Sequence, residues 1–151
     1  MLSSGPFDGV EMPVLLIAED DEDIALVLTR VFKRAGMTVL RAADGQAALE
    51  LIVEHHPDVV VTDLGMPRMD GWELIAAVRS RPEVADTPIA ILSGHLRPGD
   101  PRAGTAQCCA ILLKPCPNDQ LLATVRELLA IGPHDHDSSE SRCPAEMPVS
   151  V

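Results

Sequence analysis

Side chains suited to phosphoryl chemistry follow four short apolar runs of this 151-residue sequence. They are Glu19, Asp20 and Asp21 after the run at 14–18, Asp63 after 58–62, Ser93 after 89–92 and Lys114 after 110–113. Carboxylates crowded together repel one another, and a hard divalent cation such as Mg²⁺, which prefers oxygen ligands, relieves that repulsion. With the Lys114 ammonium, such a cation would leave Asp63 ionised and nucleophilic, while the Ser93 hydroxyl donates a hydrogen bond to phosphoryl oxygens. The residue types therefore predict a Mg²⁺-dependent aspartyl-phosphate site.

The apolar runs alternate with segments of helical periodicity. Each run is too short for a helix and is bounded by turn residues, which is typical of a buried strand. The spacing of apolar residues predicts helices after the first, second, third and fifth strands. Glu22 and Asp23 are predicted to lie in the first turn of the first helix, where carboxylates suit the helix dipole. The N-caps of the other helices are predicted at Asp44, at Asp70 or Gly71, and at Asn118 or Asp119.

Five strands alternating with helices predict a parallel sheet covered on both faces. This is a doubly wound α/β fold, whose ligands bind beyond the carboxyl ends of the strands. The second strand, at 37–41, has polar ends that favour the sheet edge. The fourth helix is predicted to be short or distorted, because Pro98, Gly99, Pro101 and Gly104 interrupt residues 96–107.

Four motifs of the sequence resemble the receiver domain of two-component response regulators. They are LLIAEDDEDI at 15–24, DVVVTDLGMPRMDGWEL at 58–74, PIAILSGH at 88–95 and LLKPC at 112–116. The loop pattern D-L-x-M-P-x-M-D-G is the most specific of them and is matched completely. The resemblance covers residues 13–131 and implies a flavodoxin-like (βα)5 fold with strand order 2-1-3-4-5. We expect a flexible N-terminus at 1–12, and the polar composition of 132–151 indicates a disordered tail.

The resemblance implies that Asp63 is the phosphoacceptor and that Mg²⁺ is held around it. Asp20 would bind the ion directly, with Asp63, and Glu19 would act mainly through water. The backbone carbonyl of Gly65 would be a further ligand. Gly65 also occupies one of two positions that tune the lifetime of the phosphoryl group in this family, and its missing side chain cannot guide or hinder an attacking water.

On the opposite side of the site, Ser93 resembles the switch hydroxyl of the family and Lys114 its phosphoryl-stabilising lysine. The bond from Lys114 to Pro115 is expected to be cis. His95 occupies the second position that tunes phosphate lifetime. Ile111 replaces the aromatic residue that often couples the hydroxyl to the output surface, so an aromatic switch is absent or replaced.

The resemblance implies a single-domain response regulator that receives a phosphoryl group from a histidine kinase or a phosphotransfer protein. No second domain is expected after residue 131, so the output would be contact with another protein, or the chain would act as a relay or phosphate sink. Only self-phosphorylation and slow self-dephosphorylation are expected, not enzyme activity. The alternative is a phosphorylation-independent interaction module, motivated by Ile111 and residues 96–107. A haloacid-dehalogenase-like phosphatase does not fit, because such enzymes carry a D-x-D motif after the first strand. An FMN carrier does not fit either, because its first loop needs hydroxyls and backbone donors for phosphate, whereas this loop is acidic.

Composition excludes several other classes of protein. A formal net charge of -11 argues against nucleic-acid binding, which needs Lys and Arg against phosphate. No apolar run is long enough for a bilayer and the N-terminus does not resemble a secretory signal, so we expect no membrane contact and a cytoplasmic protein. The spacing of Cys108, Cys109, Cys116 and Cys143 contains no C-x-x-C pair, which favours reduced thiols over a metal or disulfide role.

Overall fold

The computed structural model describes residues 12–94, 110–114 and 116–132. Its strands are β1 (Val14–Ala18), β2 (Thr38–Ala42), β3 (Val59–Thr62), β4 (Ile89–Ser93) and β5 (Ala110–Leu113). Its helices are α1 (Glu22–Arg34), α2 (Gly45–His55), α3 (Gly71–Arg79) and α4 (Asn118–Ile131). The strands form one parallel sheet in the order β2-β1-β3-β4-β5. The predicted flavodoxin-like, doubly wound fold is confirmed.

Helices cover both faces of this sheet, which explains why every strand except β2 consists almost entirely of apolar residues. Alternate strand residues point to opposite faces. Leu16 and Val60 pack with residues of α2 and α3, whereas Leu15 and Val61 pack with residues of α1 and α4, including the fully buried Phe32. The core therefore consists of two apolar layers, one on each side of the sheet.

The strand register brings the carboxyl ends of the strands to one edge of the sheet. Ala18 at the end of β1 pairs with Ala42 of β2 and with Thr62 of β3. Ser93 at the end of β4 pairs with Leu113 of β5. Residues that directly follow these strands consequently start from a common rim.

Some predicted boundaries differ from the structure. β2 lies one residue later than the predicted range 37–41, because Met37 is buried and its N–H donates to the Phe32 carbonyl at the end of α1. The predicted cap of α4 at Asn118 or Asp119 is wrong. Pro117 occupies the N-cap, has no side-chain acceptor, and receives the Leu121 N–H on its carbonyl at 3.0 Å.

Other predictions concern residues outside the described part of the chain. These are the N-terminus at 1–11, the short or distorted helix at 96–107, the tail at 133–151, and Cys108, Cys109 and Cys143. The label α4 therefore belongs to the last described helix, not to the segment at 96–107. Cys116, which is described, is a free thiol. None of the described helices combines the length and hydrophobicity that crossing a membrane requires.

Candidate functional site

Three carboxylates meet at the rim beyond β1 and β3. Glu19 follows β1 directly, Asp20 comes next, and Asp63 follows β3. One carboxylate oxygen from each lies within 4.8 Å of the others. Glu19 and Asp63 are only 3% and 7% exposed, whereas Asp20 faces solvent. The structure thus brings together the acidic residues that the sequence predicted to converge.

Lys114 extends from the end of β5 into this acidic cluster. Its Nζ lies 2.9 Å from Glu19 Oε1 and 3.1 Å from Asp63 Oδ2. The Lys114 backbone N–H donates to the Ser93 carbonyl at 3.1 Å, which joins the ends of β4 and β5. A single ammonium group therefore contacts carboxylates from two different loops.

The charges at this rim perturb one another. Burial raises the pKa of Glu19 above its ordinary value, and the negative charge of Asp63 adds to this, although the hydrogen bonds from Lys114 and from the Asp21 N–H oppose it. Burial opposes a charge on Lys114, but its hydrogen bonds to Glu19 and Asp63 outweigh that effect and raise its pKa. The lysine stays charged, and the carboxylates still hold an excess of negative charge that another cation would relieve.

The loop between β3 and α3 folds back on Asp63. The Leu64 N–H donates to Asp63 Oδ1 at 2.6 Å, and the Gly71 N–H donates to the Leu64 carbonyl at 2.9 Å. A Cβ on Gly71 would lie 2.3 Å from the Asp63 carbonyl oxygen, so a larger residue cannot fit there without a shift of the backbone. Asp70 then begins α3 with a reciprocal capping box to Glu73. The Gly-containing loop therefore holds the Asp63 carboxylate through its own backbone.

Two arginines that the sequence reasoning missed support these loops. Arg41 of β2 donates from Nη2 to the Glu19 carbonyl at 2.9 Å, and Arg68 donates from Nη2 to Asp44 Oδ2 at 2.5 Å. The predicted N-cap at Asp44 is confirmed, but its second contact with Arg68 was not expected. No short sequence motif signals these contacts, because they join residues 22 and 24 positions apart.

The remaining predicted site residues differ in burial and in their position in the fold. Ser93 is completely buried at the end of β4. Gly65 is exposed and lies in the same loop as Asp63. Ile111 is buried in the apolar layer formed with α2 and α3. The predictions for His95 and for Pro115, including its cis bond, lie outside the described residues.

The donor set at the rim fits a hard divalent cation. Its three clustered groups are all carboxylates, so it offers oxygen and neither nitrogen nor sulfur. Asp20 is open to solvent, which leaves room for the water ligands that Mg²⁺ retains. Glu19, Asp20 and Asp63 are accordingly the residues that could hold such an ion.

An apolar groove of about 530 Å³ lies beside Lys114, between α1 and α4. Ile24, Val27 and Leu28 line it from α1, and Leu121 lines it from α4. Of these residues, Val27 is exposed on α1. Apolar surface is therefore available next to the acidic cluster.

The sequence of this chain is similar to known response regulators. Residues 15–126 match the family model of the response regulator receiver domain. The chain is 35% identical over 122 residues to the transcriptional regulatory protein PrrA of Mycobacterium tuberculosis, covering 80% of this chain and 52% of PrrA. The chain thus spans about half the length of the curated relatives it matches.

Solved structures show the same similarity. The chemotaxis response regulator CheY4 of Vibrio cholerae superimposes with a TM-score of 0.73 at 29% identity, over 78% of this chain and 99% of CheY4. The receiver domain of the Francisella response regulator 1452 superimposes with a TM-score of 0.70 at 31% identity, over 79% of this chain and 98% of that domain.

Proposed function

This chain belongs to the family of response regulator receiver domains, and from that membership we propose that Asp63 accepts a phosphoryl group in two-component signalling. The observation that carries the proposal is the position of Lys114, whose Nζ contacts both Glu19 and Asp63 inside the carboxylate cluster. A cation placed beside a carboxylate nucleophile can stabilise negative charge on a phosphoryl group during transfer.

The donor would be a phosphohistidine of a histidine kinase or of a phosphotransfer protein. An Asp63 carboxylate oxygen attacks phosphorus while the phosphorus–nitrogen bond breaks. The donor imidazole, protonated on its other nitrogen, takes the bonding electron pair and leaves as neutral imidazole. Lys114 lies 3.1 Å from Asp63 Oδ2, close enough to pair with a phosphoryl oxygen, and the Ser93 hydroxyl would donate a hydrogen bond to another.

Glu19, Asp20 and Asp63 would hold Mg²⁺, with the Gly65 carbonyl as a further oxygen ligand. When bound, the ion neutralises charge on the phosphoryl oxygens. In hydrolysis, water attacks phosphorus, the bond from phosphorus to the Asp63 oxygen breaks, and Asp63 takes the bonding electron pair and returns to a carboxylate as inorganic phosphate is released. We propose no catalysis beyond this self-phosphorylation and slow self-dephosphorylation, so the protein is a signalling component and not an enzyme.

The groove beside Lys114 supports a protein as the donor. It offers apolar surface between α1 and α4 next to the proposed acceptor, where a donor helix could bury its own apolar residues. Such donors obtain their phosphoryl group from ATP, so the proposed location is the cytoplasm. PrrA is named as a transcriptional regulator, and this chain matches 52% of its length. The output proposed for the receiver domain is contact with a downstream protein or phosphoryl relay.

A phosphorylation-independent interaction module is the second candidate. Ile111 favours it, because an aliphatic residue buried at 3% exposure cannot act as the aromatic switch of the family. The intact contacts among Glu19, Asp63 and Lys114 favour phosphorylation, since a module without that chemistry has no need to keep three carboxylates together.

Intact-mass measurement after incubation with acetyl phosphate and Mg²⁺ separates the two candidates. The wild type should gain one phosphoryl group, and Asp63→Asn and a chelated wild-type sample should gain none. An equal adduct on Asp63→Asn would exclude Asp63 as the acceptor. Absence of any adduct, together with no binding of beryllofluoride in the presence of Mg²⁺, would favour the interaction module.

A further inference from the structure

Residues 41–45, at the end of β2 and the start of α2, provide no proposed ligand, yet they contact both loops that do. On the β1 side, Arg41 donates to the Glu19 carbonyl from Nη2 at 2.9 Å and from Nε at 3.2 Å. The Glu19 N–H donates to the Ala42 carbonyl at 3.0 Å. The backbone of Glu19 is therefore held at both its donor and its acceptor.

On the β3 side, Asp44 is the connecting residue. Its Oδ2 accepts from Arg68 Nη2 at 2.5 Å and from Arg68 Nε at 3.1 Å, while its Oδ1 accepts the Ala47 N–H at 2.8 Å and so caps α2. The adjacent Gly45 N–H donates to the Met69 carbonyl at 3.0 Å. A Cβ on Gly45 would lie 2.2 Å from that carbonyl oxygen, so the loop is in close contact with the start of α2.

Arg68 has a backbone conformation that needs support. Its φ of 67° lies in the left-handed region, which non-glycine residues seldom adopt. The two hydrogen bonds from Nε and Nη2 to Asp44 Oδ2 fix the orientation of the guanidinium, in addition to the attraction between the two charges. Because the Arg68 side chain is 66% exposed, this pair contributes little to global stability. Its main effect falls on the local position of the loop between Asp63 and Gly71.

We propose that Asp44, acting through Arg68, positions the loop that carries Asp63 and the Gly65 carbonyl for cation binding. Neither residue touches the cation or the phosphoryl group, so both are positioning residues. This role rests on the proposed function, because it concerns the Mg²⁺ site of the same reaction. Without the pair, the loop spends less time in the binding-competent arrangement, and the apparent dissociation constant for Mg²⁺ rises as that fraction falls.

The test compares Arg68→Gln, Arg68→Lys and Asp44→Asn with two matched controls, Arg126→Gln on α4 and Asp86→Asn, whose side chains are exposed. Titration calorimetry measures Mg²⁺ affinity, and amide hydrogen exchange of residues 64–70 without Mg²⁺ reports on the loop itself. Arg68→Gln should weaken Mg²⁺ binding about threefold to tenfold and accelerate exchange in this loop, because the competent fraction falls. Arg68→Lys should have a smaller effect than Arg68→Gln, since its ammonium keeps the charge and one hydrogen bond to Asp44, although it cannot make both guanidinium hydrogen bonds.

Asp44→Asn retains an acceptor for the Ala47 N–H, so it separates the role of the pair from the role of the helix cap. The double variant Asp44→Asn/Arg68→Gln should bind Mg²⁺ no more weakly than the weaker single variant, because both substitutions break the same contact. Additive losses in the double variant would overturn the role. Unchanged affinity in Arg68→Gln would overturn it too, with or without faster exchange.

The wild type separates this inference from the function on which it rests. If the wild type binds no Mg²⁺, the proposed function fails and the positioning role fails with it. If the wild type binds Mg²⁺ and accepts a phosphoryl group, but Arg68→Gln matches Arg126→Gln in affinity and exchange, only the positioning role is overturned.

Discussion

The candidate site has an acidic side, formed by the loops after β1 and β3, and a lysine side, formed by Lys114 and the ends of β4 and β5. The two sides are held in different ways. On the acidic side, α1, α2 and α3 each begin with an aspartate whose carboxylate accepts a backbone N–H, at 3.0, 2.8 and 2.8 Å respectively. The loops after β1 and β3 also contact residues 41–45, at the end of β2 and the start of α2. On the lysine side, α4 begins at Pro117 without a side-chain cap. Within the described residues, Lys114 makes the side-chain contacts that join this side to the carboxylates.

The two sides differ in how far their contacts depend on the charges of Glu19 and Asp63. The helix caps and the Arg41 contact do not involve the carboxylates of Glu19 and Asp63. The Lys114 contacts depend on the charges of Glu19 and Asp63, and both a bound cation and a phosphoryl group change those charges. We therefore expect the acidic side to be formed before ligands bind, and the lysine side to respond to them.

The largest expected effect is a loss of stability when a side chain is added at Gly71, on the acidic side. Gly71→Ala should lower the free energy of unfolding by about 2–4 kcal/mol, because overpacking against backbone forces the chain to move, and its Cβ would lie 2.3 Å from the Asp63 carbonyl oxygen. Gly94→Ala is the matched control, since its Cβ would meet Lys114 at an ordinary 3.7 Å. Urea denaturation measures both. Equal losses in the two variants would contradict the close approach of the loop to Asp63.

Removing the lysine charge tests the other side. Lys114→Gln leaves Glu19 and Asp63 buried without their cation, so the free energy of unfolding at neutral pH should fall by about 1–3 kcal/mol. Addition of Mg²⁺ should recover part of that loss, because the ion relieves the same repulsion. Lys33→Gln, at an exposed position of α1, should change neither the free energy of unfolding nor its response to Mg²⁺. A Lys114→Gln variant as stable as the wild type would show that these contacts do not hold the lysine side.

Substitutions at the starts of α3 and α4 should differ by a smaller amount in their cost to stability. Asp70→Ala removes the capping box of α3 and should cost about 1 kcal/mol in thermal or urea unfolding. Asn118→Ala at the start of α4 should cost less than about 0.5 kcal/mol, since that helix has no side-chain cap to lose. Similar costs at both helices would remove one basis of the comparison between the two sides.

The weakest expected effect is a pH dependence. Burial raises the folded-state pKa of Glu19 above its ordinary value of 4.5, so the folded protein binds this proton more tightly than the unfolded chain. The resulting stabilisation is complete below 4.5 and is lost as the pH rises through the raised pKa. Glu19→Gln should therefore show a shallower fall in unfolding free energy across this interval. Parallel pH profiles for the wild type and Glu19→Gln would contradict the shifted pKa.

Local sequence signals were sufficient for most of the fold. Continuous apolar runs predicted the strands, and Asp44 and Asp70 correctly marked the starts of α2 and α3. Asp21 stood beside the acidic pair without an assigned structural role, but it caps α1 by accepting the Ile24 N–H. The start of α4 was misjudged because Asn118 and Asp119 are good caps by composition, while the chain placed Pro117 there.

The candidate site was predictable only where residues belong to short motifs. Glu19, Asp20, Asp63 and Lys114 lie within two residues of the ends of strands, so the topology alone brings them to one rim. The Arg41 and Arg68 contacts were not predictable, because each joins residues far apart in sequence and depends on backbone geometry. Arg68 also needs a positive φ, which side-chain identity does not indicate.

Chemical identification of the phosphorylated residue tests the central claim most directly. After reaction with acetyl phosphate and Mg²⁺, borohydride reduction converts an aspartyl phosphate to homoserine, which peptide mapping can locate. We predict homoserine at position 63 and unaltered Glu19 and Asp20, although the three carboxylates lie within 4.8 Å of one another. Conversion at Asp20 or Glu19, or the same yield at Asp63 in a chelated sample, would contradict the division of this cluster into a phosphoacceptor and cation ligands.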